Sequence, residues 1–423
     1  MFTSEATVAS PQKRLGLIPR LALMAFCLLS IGISARQTVW YFSQSPSYSD
    51  FRIFMTGVAL VHAGHGHELY QFRAQQIAQE ALYPDTRVNG LLPFNHLAFE
   101  LLLYWPVALL PYHVAIAVWS LLNLLIVFVI GWLLEAYTTA ITQATGIPNA
   151  MFLLAFYPVI YVFGEGQDSL IFLLLVVLSL RAMDAERPFL AGLLLAAGCF
   201  KLHLALLMGF FVLVLGRKWK GVAGFAAGGA MATAISVLMV GRNFFHDYFL
   251  MLRQQEVMTP WGFIPMFMPN LRGVLRWTLR RTLDPGQIVP VVFMASVVIG
   301  VVATWLVIRA RVPKDSGLLY SISALTTILI SYHLHVQDLA LAALPILLVV
   351  DWAMRHPISN RFLNTWLVLL SVSVAALYLY RLAAEPFMIL LFRSCYLAVP
   401  VFLLWIVAFR AFCENRFASS QPA

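Results

Sequence analysis

Charge is scarce in this chain. Only 11% of its 423 residues are Asp, Glu, Lys or Arg, while 61% are hydrophobic. A water-soluble domain needs a charged surface over its apolar core, so this composition excludes one and points to a polytopic membrane protein. Cysteine is scarce as well: Cys27, Cys199, Cys395 and Cys413 show no metal or redox spacing, which argues against a disulfide framework or zinc site. The chain also lacks a glycine-rich phosphate loop, a Gly-x-Ser-x-Gly turn, His-Glu-x-x-His, Asp-x-Asp and any convincing internal repeat. A soluble nucleotide-consuming module is therefore unsupported.

What is present is a succession of apolar runs, with a mean hydropathy of +0.82. The net charge of +9 does not imply nucleic acid as a partner, because excess Lys and Arg in such chains mark cytoplasmic loops. Lys13, Arg14 and Arg20 flank the first run, 17–34, which has no small-residue cleavage site and reads as a retained anchor with its N-terminus inside. Residues 36–96 are then exterior. The run 97–111 is too short for an easy crossing and contains Pro106. Counting back from the basic markers Arg217 to Lys220 and Arg181 with Arg187 leaves that run on the exterior face as an interfacial or re-entrant helix. The segment 135–150 should then be cytoplasmic, yet it holds no Lys or Arg.

The same parity predicts an all-α polytopic fold with about 12 crossings, several of them short. Its expected divisions are 35–112, a first exterior loop with interfacial helices; 113–240, a transmembrane module; 241–287, an exterior loop; 288–411, C-terminal helices; and 412–423, a cytoplasmic tail. Short broken spans of this kind usually surround a cavity at membrane depth.

Polar residues inside this frame gather on the exterior side. Asp50 precedes Phe51, Phe54, Met55, Val58 and Val61, whose helical spacing predicts an amphipathic helix lying along the membrane. Its carboxylate is either a helix cap or a general base for a lipid-linked reaction. Glu165, Gln167 and Asp168 share a turn and read as caps and turn residues or as part of a site. Lys201 and His203 lie at a turn between two short helices. Lys201 either snorkels or neutralises a lipid phosphate, and its place inside an apolar run favours the phosphate. Of His333 and His335, one is structural and the other is suited to orient a hydroxyl or touch a phosphate. Gln337 and Asp338 follow them. His62, His65 and His67 lie among glycines and read as a loose loop, not a ligand set. The exterior arginines, Arg272, Arg276 and Arg280 among them, form a solvated face, some of them suited to anionic headgroups.

Several stretches in sequence then resemble one family. They are Ser49-Asp50-Phe51, Gly64 to Tyr70, Leu92 to Pro111 leading to Trp119 and Asn123, Gly166-Gln167-Asp168, Ala191 to Lys201 with the basic Arg217 to Lys220, and Pro269 to Gly273. Together they resemble glycosyltransferase family 87, the polyprenyl-phosphate-mannose-dependent mannosyltransferases of the GT-C superfamily, over roughly residues 45–275. The resemblance implies Asp50 as catalytic base, and a sugar given up by a polyprenyl-phosphate donor on the exterior face of a bacterial inner membrane. It implies transfer to a glycolipid or glycan acceptor with inversion, without cofactor, and without metal because the donor carries a single phosphate. Lys201, His333 and His335 are then the candidate phosphate contacts, and Glu165, Gln167, Asp168 and His203 the candidate substrate contacts. A transporter or flippase for a lipid-linked glycan is the competing expectation. It would need its polar groups open to each side in turn.

Overall fold

The computed structural model describes residues 14–44, 49–84, 91–257, 265–309, 316–355, 361–383 and 394–418. Lys13 and the tail beyond residue 418 lie outside them. Among the described residues every regular element is helical. Seven runs of these described residues are long and apolar enough to cross a membrane: Leu17–Trp40, Tyr112–Glu135, Pro188–Val214, Trp219–Val240, Pro285–Arg309, Gln337–Arg355 and Cys395–Cys413. Three more, Phe51–His62, Ala98–Ala108 and Ser316–Ile330, are apolar but shorter. The expectation of about 12 crossings counted further short pieces as spans, among them 151–163, 170–180 and 318–332, and split 188–214 into two.

The first half of the chain runs α1 (Leu17–Gln44), α2 (Phe51–His62), α3 (Phe72–Leu82), α4 (Leu101–Ala108), α5 (Tyr112–Glu135) and α6 (Thr139–Thr145). It continues with α7 (Asn149–Ala155), α8 (Tyr157–Glu165), α9 (Ser169–Asp184), α10 (Pro188–Ala197), α11 (Leu202–Gly209) and α12 (Trp219–Val240). Proline sets several starts. Pro158 and Pro188 occupy first-turn positions of α8 and α10, where a missing N–H costs nothing. Gly166 ends α8 at φ 63°, and an added Cβ there would meet the Phe51 ring, so both backbone and packing require glycine.

Residues 188–214 look like one crossing by length, but they fold back on themselves. Side chains added at Gly192 and Gly224 would collide with Gly221 O and Phe189 O, so α10 and α12 lie backbone to backbone and parallel. Pro188 O and the Leu213 side chain both face Gly221, and Phe225 packs on Gly209. The arm from α11 to Val214 is therefore antiparallel to α12. The bend falls at Lys201, whose φ of −101° and ψ of 66° interrupt the helix. The two short helices with a turn at Lys201 are thus present as expected. Both basic ends, Arg187 and Arg217 to Lys220, fall on one side, which agrees with a positive-inside arrangement.

The missing cations of 135–150 are supplied from elsewhere. Arg20 Nε donates to Thr145 O at 2.8 Å, and Arg355 Nη2 donates to Tyr137 O at 3.2 Å. Asp351, near the end of α17 (Ala343–Arg355, after α13, Phe244–Val257; α14, Leu271–Leu279; α15, Pro285–Arg309; and α16, Ser316–Ile330), accepts the Ala140 and Ile141 amides at 2.7 and 3.0 Å. It caps α6 from 210 residues away and pairs with Arg355. The Tyr137 hydroxyl donates to Asp184, and Arg181 stands over its ring.

One expectation is corrected here. Helix α2 does not lie on the surface with one face out. Nine of its residues, Arg52 and Thr56 included, are buried, because α3 and α4 pack on it and the 91–97 segment contributes Phe94 beside Phe54. Helix α4 is only 8 residues long, about 12 Å, well short of the hydrocarbon thickness of a bilayer.

Candidate functional site

Opposite the arginine-rich end, the turns between helices bring the predicted polar residues together. The centre is the turn 165–168 between α8 and α9. Its backbone is fixed from three sides: Tyr104 OH donates to Gly166 O at 3.3 Å, and Trp119 Nε1 and Asn123 Nδ2 donate to Gln167 O at 3.1 and 3.4 Å. The turn in turn holds the start of α2. Ser49 Oγ donates to Glu165 O, and Asp50 N donates to Glu165 Oε2, both at 3.2 Å. Gln167 Nε2 donates to Asp50 Oδ2 at 2.8 Å.

Asp50 stands at the cap position of α2, yet its side chain makes no capping bond. Asp168 stands likewise before α9 and does not cap it. Both carboxylates are turned to other partners, so the simple cap reading fails for each. The Asp50 side chain is partly open, and its carboxyl is held above the usual carboxylate range by burial. The Gln167 bond and the nearby His335, Arg52 and Lys201 oppose that rise without cancelling it.

Lys201, at the hairpin bend, lies 3.1 Å from Asp168 Oδ1 and 2.9 Å from Asp338 Oδ1. Ser169 Oγ also reaches Asp338 Oδ1, at 3.0 Å, and His335 N donates to Asp338 Oδ2 at 3.0 Å. The ammonium is thus enclosed by two carboxylates, a buried arrangement that is favourable only because each charge has a close partner. His203, His333 and His335 form an edge-to-face series, with ring centroids 5.7 and 4.5 Å apart. The loop carrying His333 and His335 is tied to α14: Asn270 Nδ2 donates to Ser331 O at 2.7 Å and Arg272 Nη1 to Tyr332 O at 2.9 Å. Gln167 Oε1 and His203 Nε2 are buried with no hydrogen-bond partner among the described residues.

All eight candidate residues therefore lie in one connected cluster. Two further members escaped the sequence reading as site residues. Glu100 is fully buried and pairs with His96 Nδ1 at 2.7 Å. Burial first, and the Lys201 charge second, lower the His96 imidazole to about 4. The available signal was a carboxylate inside the apolar run 97–111, close in sequence to a histidine.

A model of glycosyltransferase family 87 matches residues 98–331, more than half of the chain. The match takes in Glu100, Glu165, Gln167, Asp168, Lys201 and His203; Asp50 precedes it, and His333, His335 and Asp338 follow it. No curated protein and no solved structure matches the chain.

Proposed function

Because the chain belongs to glycosyltransferase family 87, we propose that this membrane glycosyltransferase moves a hexose, mannose foremost, from a polyprenyl-phosphate carrier to a glycolipid or glycan acceptor. The observation that carries the reading is the Asp50 carboxylate: partly open, free of capping, and aimed by the Gln167 amide at 2.8 Å. In this reading the acceptor hydroxyl loses its proton to Asp50 as it attacks the anomeric carbon. A carboxylate raised above its ordinary range is a better base than a surface aspartate. One displacement inverts that carbon, and the lipid phosphate leaves with added negative charge.

His333 and His335 meet that phosphate in this scheme, and Lys201 acts at one remove. Enclosed between Asp168 and Asp338, it fixes Asp338, which in turn holds the His335 backbone. Preorganised donors of this kind stabilise charge as it develops. Gln167 Oε1 and His203 Nε2, buried without partners among the described residues, suit sugar or acceptor hydroxyls. Glu165 and Asp168 keep the turn in place around them. A donor with a single phosphate gives no pyrophosphate for a metal to bridge, so the scheme needs none. The fold is read as GT-C, with the site facing the exterior of a bacterial inner membrane.

The test is transfer from synthetic polyprenyl-phosphate mannose by the purified protein in lipid nanodiscs, wild type against Asp50→Asn. Transfer by the wild type alone supports the scheme. Equal transfer by a folded Asn variant removes Asp50 as the base.

A further inference from the structure

Arg272, Arg276 and Arg280 stand four residues apart, in α14 and at its C-terminal end, so they share one face of that helix and each step rises about 6 Å. Their exposure is graded: Arg272 is buried, Arg276 is half-buried and Arg280 is open to solvent. The buried end reaches the candidate site. Arg272 Nη1 donates to Tyr332 O at 2.9 Å, its guanidinium stands 3.9 Å over the Tyr332 ring, and His333 is the next residue. The outer part lies where an apolar span begins. Arg276 Nη1 donates to Pro285 O at 2.7 Å, and Pro285 is the first residue of α15. Given a polyprenyl-phosphate donor, as in the proposed function, we infer that these arginines form a basic row. It takes up the phosphate of the lipid-linked donor at the membrane rim and leads it to the His333–His335 loop.

The outer part of the row keeps its charge. Among the described residues no carboxylate pairs with Arg276, Arg280 or the adjacent Arg281. Arg276 bonds a carbonyl, and Arg280 bonds the Trp277 carbonyl and stands 3.5 Å over the Trp277 ring. Carbonyls and rings orient a guanidinium without cancelling its charge. The affinity of a helix C-terminus for cations accounts for Arg280 and Arg281. It does not account for Arg272, which lies in the first turn of α14, where the helix dipole opposes a cation. A planar guanidinium matches phosphate oxygens two at a time, so the partner that fits is a phosphate.

Helix α14 is held at both ends. Asn270 Oδ1 accepts from Gly273 N at 3.1 Å while its Nδ2 donates to Ser331 O at 2.7 Å, so one side chain caps α14 and ties it to the histidine loop. A Cβ at Gly273 would meet Met268 O, which sets the helix start backbone to backbone on the turn before it. At the other end Trp277 Nε1 donates to Tyr396 OH at 2.7 Å. Tryptophan and tyrosine gather at the headgroup level of a bilayer, the level of a lipid phosphate. An ordinary phospholipid needs only the open end of such a row. The continuation inward to Arg272 and the loop favours a phosphate that has to reach the site.

The test is retention of sugar-free polyprenyl phosphate by the full-length protein, read by native mass spectrometry beside polyprenol and phosphatidylglycerol. The wild type should retain polyprenyl phosphate over both. The double variant R276Q/R280Q should retain it about tenfold less. R276K/R280K keeps the charges but loses the planar fork, and should recover most of that loss. Equal retention by the wild type and R276Q/R280Q overturns the inference. So does wild-type retention of phosphatidylglycerol equal to that of polyprenyl phosphate, since the row then serves any anionic lipid. A lysine variant as impaired as the glutamine one also overturns it, in favour of a packing role. In the transfer assay R276Q/R280Q should raise the donor KM about tenfold, with the loss shrinking as donor is added. If the wild type transfers no mannose, the sugar assignment fails, and lipid retention alone decides the row.

Discussion

The Gln167 amide donates to the Asp50 carboxylate at 2.8 Å across 117 residues of chain. This contact joins the first exterior loop to the turn between α8 and α9, and it fixes which way the carboxylate points. Asp50→Asn preserves the size and the contact but removes the basicity. Transfer is expected to fall about 10²–10⁴-fold, with the variant eluting and melting as the wild type does.

Removing the aiming group should be milder. Gln167→Ala leaves Asp50 basic but unaimed, and kcat is expected to drop roughly tenfold with little change in KM. Steady-state kinetics with varied acceptor separate this from lost binding.

The pH profile follows from the sign of the Asp50 shift. Burial raises this carboxyl, so the anion, which is the base in the proposed scheme, is present above the raised value and is lost as pH falls through it. The acidic limb of kcat/KM should lie above the ordinary carboxylate range and be missing from the residual activity of Asp50→Asn.

Lys201→Met strands Asp168 and Asp338 as buried carboxylates. Breaking a buried pair from one side costs about 3–5 kcal/mol. A lowered unfolding midpoint is expected, largely restored in the triple variant that also carries Asp168→Asn and Asp338→Asn.

His96 gives an acid-sensitive contribution. Its imidazole is lowered to about 4 in the fold, from 6.5. Below the ordinary value the unfolded chain takes up a proton that the folded chain refuses until about 4, so stability falls across that window, by about 3 kcal/mol at its lower end. His96→Gln should flatten the dependence of unfolding midpoint on pH between 6.5 and 4.

Much of this site was legible in the residues. Lys and Arg spacing assigned sides to the short helices, and that parity alone placed Asp50, the 165–168 turn, Lys201 and the 333–338 loop together. What resisted was whatever depends on distant partners. The loop 135–150 looked anomalous because its cations, Arg20 and Arg355, come from α1 and α17. Helix α2 shows one apolar face, but Arg52 and Thr56 on its other faces are buried by α3, α4 and the 91–97 segment, which periodicity does not report.

The clamp around 135–150 also limits how the molecule can move. Asp351 ties the end of α17 to α6, Arg20 ties α1 to Thr145, and Tyr137 ties the same loop to Asp184 of α9. An alternating-access cycle would have to part these elements on every turnover. A bundle fastened at this end keeps its freedom to open at the other, the end where Asp50, the 165–168 turn, Lys201 and the 333–338 loop meet.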